Sequence, residues 1–175
     1  MKTRKVMNEN CDRLDSCWWW FNDDIILLKE LSKTIRHNDE TLEAQSFCRI
    51  LTIVGVTRID FAIDYILRKQ LLITPKKKMS YGNRLKIIWE KTEQLHNTAK
   101  DKREQIIKSY IGLREFRHLI VHANTYLIDT DKIEKLKSAE LPINMFHCSW
   151  KTFDKIQSII EMMIWNIELI LFLNK

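Results

Sequence analysis

Turn-forming residues are scarce in this chain, which has three glycines and two prolines among its 175 residues. A many-stranded sheet needs frequent turns, and Gly and Pro are the residues that most often supply them. The scarcity therefore predicts long helices joined by few loops. Hydrophobic residues make up 45% and charged residues 30% of the chain, a composition typical of globular proteins. We expect residues 1–175 to form one helical domain with its own core.

Apolar residues recur at helical spacing in five long segments. These predict helices over about 19–35, 40–72, 82–95, 102–123 and 149–173, and a short one near 131–138. The second segment is apolar on nearly every side, which is typical of a central helix. The predicted fold class is therefore all-α, a bundle of four or five helices. We expect Trp89, Trp150 and Trp165 to lie in its core.

The last segment, residues 156–175, is long and apolar enough to require comparison with a membrane span. Glu161, Asn166 and Glu168 interrupt it, and carboxylates near the centre of a bilayer are costly. A buried terminal helix, without a membrane partner, is the favoured prediction.

Features near the N-terminus and the cysteine spacing favour a cytoplasmic protein. The first residues are basic but lack the apolar run of a signal peptide. The four cysteines, Cys11, Cys17, Cys48 and Cys148, form no C-x2-C pair, so zinc-ribbon spacing is absent. We expect reduced thiols.

The formal net charge of +6 favours a polyanionic partner such as RNA, although an ordinary basic surface explains it equally well. Lys76, Lys77 and Lys78 form a predicted loop that is either simply solvated or helps to draw RNA in. The aromatic cluster Trp18–Phe21 is typical of a core or a dimer contact, and base stacking is the alternative.

A cluster of polar residues interrupts the fourth predicted helix, in the stretch LREFRHLIVHANTY at residues 113–126. On an ideal helix, Arg117 falls on the apolar stripe, within about 40° of four apolar residues. A guanidinium keeps its charge, so burying it without a partner is very unfavourable. Arg117 must therefore pair with a carboxylate, reach a cleft or lie at an interface. The four apolar residues of the stripe are Ile106, Tyr110, Leu113 and Val121.

The two histidines of this stretch point elsewhere on the same ideal helix. His118 and His122 lie four residues apart, about 100° to 140° around the axis from Arg117. One straight helix does not direct Arg117 and His122 the same way. They can act together if the helix bends, or if a second copy contributes across a two-fold axis.

The segment RHLIVH, residues 117–122, resembles the signature of the HEPN family. That signature is an Arg, then Asn, Asp or His, then three mostly apolar residues, then His. The resemblance covers residues 40–173 in outline, with an all-α chain of similar size and the motif late in a late helix. Only Arg117, His118 and His122 match as functional residues.

The resemblance implies a metal-independent ribonuclease that needs no cofactor and acts as a homodimer, with the two motifs meeting at the dimer cleft. His122 would then serve as general base or acid on the ribose 2′-hydroxyl, and Arg117 would hold the scissile phosphate. His118 would orient these groups or share the proton transfer, and Arg114 and Asn124 are candidate phosphate contacts. The products would be a 2′,3′-cyclic phosphate and a free 5′-hydroxyl.

The same resemblance implies a prokaryotic toxin or phage-defence effector. Some members of the family are non-catalytic, and bind nucleotides, nucleic acid or an antitoxin partner. The residue types suit RNA cleavage independently of the family. Imidazole titrates near physiological pH, and Arg offers a planar fork matched to phosphate. RNA supplies its own nucleophile.

Ordinary structural interpretations of these residues remain open. The two histidines are also expected near a helix C-terminus, where the helix dipole favours a cation, and their H-x3-H spacing suits two zinc ligands. Arg117 can form a structural salt bridge with Asp60 or Asp64, and Asp64 can equally pair with Arg68 one turn on. Asn124 is either a helix cap or a phosphate contact.

Overall fold

The structure, a computed structural model, describes residues 13–36, 41–93, 100–122 and 129–172. Within these ranges the chain is all-helical, as the sequence predicts, with six α-helices. A π-helical turn at Ile66–Gln70 extends the second helix, and a 3-10 turn at Met145–His147 precedes the last one. The helices are α1 (Arg13–Ile35), α2 (Leu42–Tyr65), α3 (Tyr81–Lys91), α4 (Lys100–Val121), α5 (Thr130–Ser138) and α6 (Trp150–Phe172).

Side-chain caps define the first residues of three of these helices. The side chains of Thr41, Ser80 and Asp129 accept hydrogen bonds from backbone N–H groups three residues later, at 3.2, 3.3 and 3.0 Å. Each bond satisfies an N–H group that has no partner inside the helix. Short polar residues therefore determine where α2, α3 and α5 begin.

Helix α2 lies at the centre of the fold, as predicted, and packs against α1, α3, α4 and α6. Gly55 of α2 lies close against α6, because an added Cβ there would lie 2.2 Å from the Cδ1 of Ile160. A side chain at residue 55 would therefore displace the side chain of Ile160. Apolar residues of α2 with no exposed surface are Ala44, Cys48, Val56, Ile59, Ala62 and Ile63.

One charged residue, Arg58, lies inside this apolar centre with only 1% of its surface exposed. Its guanidinium donates to the side-chain oxygen of Asn22 in α1 at 3.1 Å and pairs with Glu168 in α6 at 3.5 Å. Burial lowers the pKa of Arg58 to about 10, against the opposing effect of Glu168. A buried cation is stable only with polar partners. Since the partners of Arg58 come from α1 and α6, this residue of α2 links the three helices.

Two of the three tryptophans predicted for the core are buried. Trp89 in α3 and Trp150 at the start of α6 are 3% and 6% exposed, which confirms the prediction. The prediction for Trp165 is wrong, because 66% of its surface is exposed. It lies on the opposite side of α6 from the buried residues, next to α4.

No helix within the described ranges is long and apolar enough to cross a membrane. Cys48 and Cys148 are free thiols and are buried. Cys11 and Asn124 lie outside the described part of the structure, as do the side chains of Cys17 and of the Trp18–Phe21 cluster.

Candidate functional site

The C-terminal half of α4 carries the motif that the sequence singles out. The helix is continuous to Val121, and the backbone N–H of His122 still donates to the carbonyl of His118 at 2.9 Å. The predicted apolar stripe is buried at Ile106, Tyr110 and Leu113, but its last member, Val121, is 51% exposed. Half-buried Arg117 thus lies where the stripe passes from the interior to the surface.

Asp60 of α2 lies against this part of α4 and binds Arg114. The Nε of Arg114 donates to Asp60 Oδ2 at 3.2 Å, and the shortest separation between the two groups is 3.0 Å. The hydroxyl of fully buried Tyr110 donates to the other oxygen of Asp60. Burial raises the pKa of Asp60, against the opposing effects of Arg114, Tyr110 and Arg117. The salt bridge predicted between Asp60 and Arg117 is therefore made to Arg114 instead.

Asp64, one turn further along α2, binds α3 rather than Arg117 or Arg68. Its carboxylate accepts from the guanidinium of Arg84 and, at 3.3 Å, from the hydroxyl of Tyr81. The Cζ atoms of Arg84 and Arg114 lie 4.4 and 3.8 Å from the centre of the Tyr81 ring. Both contacts are attractive, because the electron-rich face of the tyrosine ring stabilises a nearby cation.

Together these residues form a buried polar network that joins α2, α3 and α4. We call it the Asp60–Asp64 network, and both of its tyrosines are neutral at physiological pH. Burial raises the pKa of Tyr81 to about 12 and that of Tyr110 well above its usual value. The two negative charges of its carboxylates therefore equal the two positive charges of its guanidiniums. Its members are Asp60, Asp64, Tyr81, Arg84, Tyr110 and Arg114.

Arg117 is a further cation on α4 that does not belong to the Asp60–Asp64 network. Its Nε is buried and has no hydrogen-bond partner among the described residues. The positive charge is close enough to Asp60 to help lower the pKa of that carboxyl. The side chain as a whole is only half-buried, and a guanidinium forms strong charge-assisted hydrogen bonds to phosphate, so Arg117 is a candidate binding group for an anion.

The two imidazoles lie next to this cation, at the exposed end of the helix. The rings of His118 and His122 are 6.4 Å apart between centroids, nearly edge to face, and both are accessible to solvent. Burial lowers the pKa of His118, and the positive charges of Arg114, Arg117 and His122 lower it further, while Glu115 opposes them. His118 is therefore predominantly neutral at physiological pH.

Glu115 connects His118 to helix α5. Its carboxylate oxygens lie 4.0 Å from Nδ1 of His118 and 3.8 Å from Nζ of Lys135. Lys135 also binds Asp131 one turn earlier on α5. The negative charge next to His118 is thus partly compensated from α5.

Several residues of the site do not stand out in the sequence. Tyr81, Arg84, Glu115 and Lys135 are ordinary members of amphipathic helices. Tyr110 did carry a signal, because a hydroxyl on a fully buried stripe requires an acceptor from another helix. Arg114, Arg117, His118 and His122 all lie in the C-terminal half of α4, where His118 contacts the ring of His122 and senses the charges of both arginines. Asn124 lies outside the described part.

Neither the described residues nor the comparisons with known proteins add a metal centre or a family to this arrangement. The described ranges hold no group of three or more His, Cys, Asp or Glu side chains arranged to bind a metal ion. No family model, curated protein or solved structure matches this chain.

Proposed function

We propose that this protein is a metal-independent endoribonuclease that cleaves RNA to 2′,3′-cyclic phosphate and 5′-hydroxyl ends. The observation that carries the proposal is the half-buried cation Arg117, which forms no ion pair within the described residues, on the same end of α4 as two accessible imidazoles. A phosphodiester supplies the missing anion. The resemblance of residues 117–122 to the HEPN signature supports the same conclusion.

Each group has a role in an in-line transfer. Arg117 binds the scissile phosphate and stabilises the charge that builds up on its oxygens. One neutral imidazole takes the proton of the 2′-hydroxyl as the 2′-oxygen attacks phosphorus, and one imidazolium protonates the 5′-oxygen as the P–O5′ bond breaks. We assign one of these two roles to His122 and the other to His118. Arg114 is already bound to Asp60 and lies on the ring of Tyr81, so it holds this end of α4 in place.

We further propose that the enzyme works as a homodimer. Arg117 and His122 diverge by about 140° around a straight helix, so one chain directs only part of the site at a given phosphate. A two-fold axis at the end of α4 would complete each site with an imidazole from the second copy.

The central test is cleavage of RNA in the presence of EDTA. We expect wild-type protein to cut, and Arg117→Ala and His122→Ala to lose about a hundredfold or more in rate, as is typical when an acid–base group is removed. His147→Ala is the matched control, because this exposed histidine lies outside the site and should leave the rate unchanged. The new 5′ ends should accept a phosphate from a polynucleotide kinase without prior dephosphorylation. An inert wild type, or a fully active His122→Ala variant, would refute the proposal.

Mixing two inactive variants tests the composite site. In a dimer whose sites combine Arg117 of one copy with His122 of the other, an exchanged mixture of Arg117→Ala and His122→Ala should regain about a quarter of wild-type activity. No recovery from a mixture that is shown to exchange subunits would argue for a site within one chain. Binding of RNA without cleavage would instead identify a non-catalytic binding module.

A biological role as a toxin or defence effector gives a separate expectation. Expression of wild-type protein alone should arrest bacterial growth, whereas His122→Ala should not. Equal growth of both strains, at equal protein levels, would remove the toxin role but leave the enzymatic assay to decide the activity.

A further inference from the structure

A groove of about 400 Å³ lies between α4 and α6, away from the motif. Four residues of α4, within 102–109, and six of α6, within 155–166, form its walls, and they recur at helical spacing. Ile106 and Ile159 are 6% and 2% exposed and form its floor. The volume is within the range of small-ligand sites. The groove is thus large enough for a nucleobase with its sugar.

The exposed Trp165 lies at the edge of this groove. A tryptophan that leaves two thirds of its large apolar surface in water is unusual, because indole rings are generally well buried. Met162, one turn earlier on α6, also lines the groove. The ring face of Trp165 is therefore available to a flat ligand.

The polar residues of the groove favour an anionic ligand. Lys102 and Lys155 contribute ammonium groups, Ser109 a hydroxyl and Asn166 an amide, and no Asp or Glu is among its described lining residues. Nζ of Lys155 lies 2.9 Å from a carboxylate oxygen of Glu140, whose side chain is 75% exposed. Positive charge beside an aromatic face is the combination that binds single-stranded nucleic acid.

We propose that the α4–α6 groove is a binding subsite for single-stranded RNA, in which a base stacks on Trp165 and phosphates lie against Lys102 and Lys155. The choice of RNA rests on the proposed function, while the groove itself rests on separate residues. Ser109, at one end of the groove, lies eight residues before Arg117, or about 12 Å along α4. A strand that leaves the groove at this end therefore has a short path to the candidate catalytic site.

The direct test measures binding of a labelled oligouridine of about twelve nucleotides, a length within the usual range of single-stranded sites. It uses the His122→Ala protein, so that cleavage does not interfere. Trp165→Ala should weaken binding about tenfold, whereas Trp165→Tyr should retain most of the affinity because the ring still stacks. Phe146→Ala is the control, since Phe146 is 61% exposed but does not line the groove. An abasic oligonucleotide has no base to stack, so it should bind the Trp165→Ala protein and the protein that retains Trp165 with equal affinity.

The lysines provide an independent arm that does not depend on the aromatic ring. Lys102→Ala and Lys155→Ala should each reduce the slope of log affinity against log salt by about 0.7. Glu140→Gln removes the carboxylate that holds Lys155 and should tighten binding at low salt. A gain of affinity is informative, because a misfolded variant cannot produce it.

The outcomes separate this proposal from the proposed function. In cleavage-competent protein, Trp165→Ala should raise KM for long RNA, leave kcat unchanged and leave cleavage of a dinucleotide unaffected. An unchanged KM for long RNA, or equal effects of Trp165→Ala and Phe146→Ala, would overturn the groove and leave the ribonuclease intact. If wild-type protein bound RNA in the groove but never cleaved it, the groove proposal would stand and the ribonuclease proposal would fail. A change in oligomeric state with unaltered RNA affinity would show that Trp165 contacts a second copy instead.

Discussion

Two arginines three residues apart on α4 have different electrostatic surroundings. Arg114 is bound by Asp60 and lies on the ring of Tyr81, so its charge is already neutralised. Arg117 has no such carboxylate among the described residues and keeps a buried donor unused. The difference indicates that Arg114 supports the fold and that Arg117 is available to a ligand.

The proton affinity of His118 gives a prediction for a single residue. Glu115 is the group that raises the pKa of His118, against burial and three positive charges. Glu115→Gln should therefore lower the pKa of His118 further below its ordinary value of 6.5, as measured by NMR titration of the ring. Glu93→Gln is the control, because it removes a carboxylate that pairs with Arg103 away from the site, and it should leave the pKa of His118 unchanged.

The same pKa has a consequence for stability that can be checked in denaturation experiments. Because the pKa of His118 is lower in the folded chain than in the unfolded one, the unfolded state binds more protons between the two values. Stability should fall as the pH drops through 6.5 and level off below the folded-state pKa. Glu115→Gln should extend this loss to lower pH, and a His118→Gln variant should lack it.

At the scale of helices, two glycines give a matched pair of predictions. An added Cβ at Gly112 in α4 would lie 2.4 Å from both the Cβ of Ala139 and the carbonyl oxygen of Lys135, whereas one at Gly82 in α3 would meet nothing closer than 3.5 Å. Gly112→Ala should destabilise the protein by about 1–3 kcal/mol through overpacking. Gly82→Ala should stabilise it by about 0.5–1 kcal/mol, since Ala loses less backbone freedom in a helix. Urea midpoints at constant m-value measure both effects, and equal midpoints would contradict the close contact.

The helices themselves were largely predictable, because their apolar periodicity and their few turn residues are local properties of the chain. The observed bounds of α4, α5 and α6 lie within about two residues of those expected, which is the usual uncertainty of helix ends. The segment that begins with α2 stays helical to Gln70, close to its predicted end, but the π-helical turn at Ile66–Gln70 has no clear signal in the sequence. Two other bounds were predicted less well, since α1 begins at Arg13 rather than near residue 19 and α3 ends at Lys91 rather than near residue 95.

Tertiary partners were not predictable in the same way. An aspartate on α2 is within reach of several arginines, and the sequence cannot rank Arg84, Arg114 and Arg117 by distance. Trp165 falls on a helix that is apolar around most of its circumference, so periodicity placed it in the core. Its exposure follows from the gap between α4 and α6, which is a property of packing.

At the scale of the whole molecule, the net charge of +6 gives a prediction for RNA affinity. Each phosphate that is neutralised by the protein releases counterions, so log affinity should fall linearly with log salt concentration. Arg117→Ala should reduce the slope by about 0.7, the value for one contact to a single strand. Lys33→Ala is the control, because this exposed lysine on α1 pairs with Glu30 and removes the same formal charge. Equal slopes for the two variants would mean that Arg117 contributes only to the general field.

The missing side chain at Gly112 has a further effect, beyond the packing of two helices. It lets the backbone of α5 touch α4 at Lys135, the residue whose ammonium group lies beside Glu115. Anything that moved α5 outward would withdraw this ammonium from Glu115, make the surroundings of His118 more negative, and raise the affinity of that imidazole for a proton. A binding partner that displaced α5 would thus raise the pKa of His118 without contacting the motif itself.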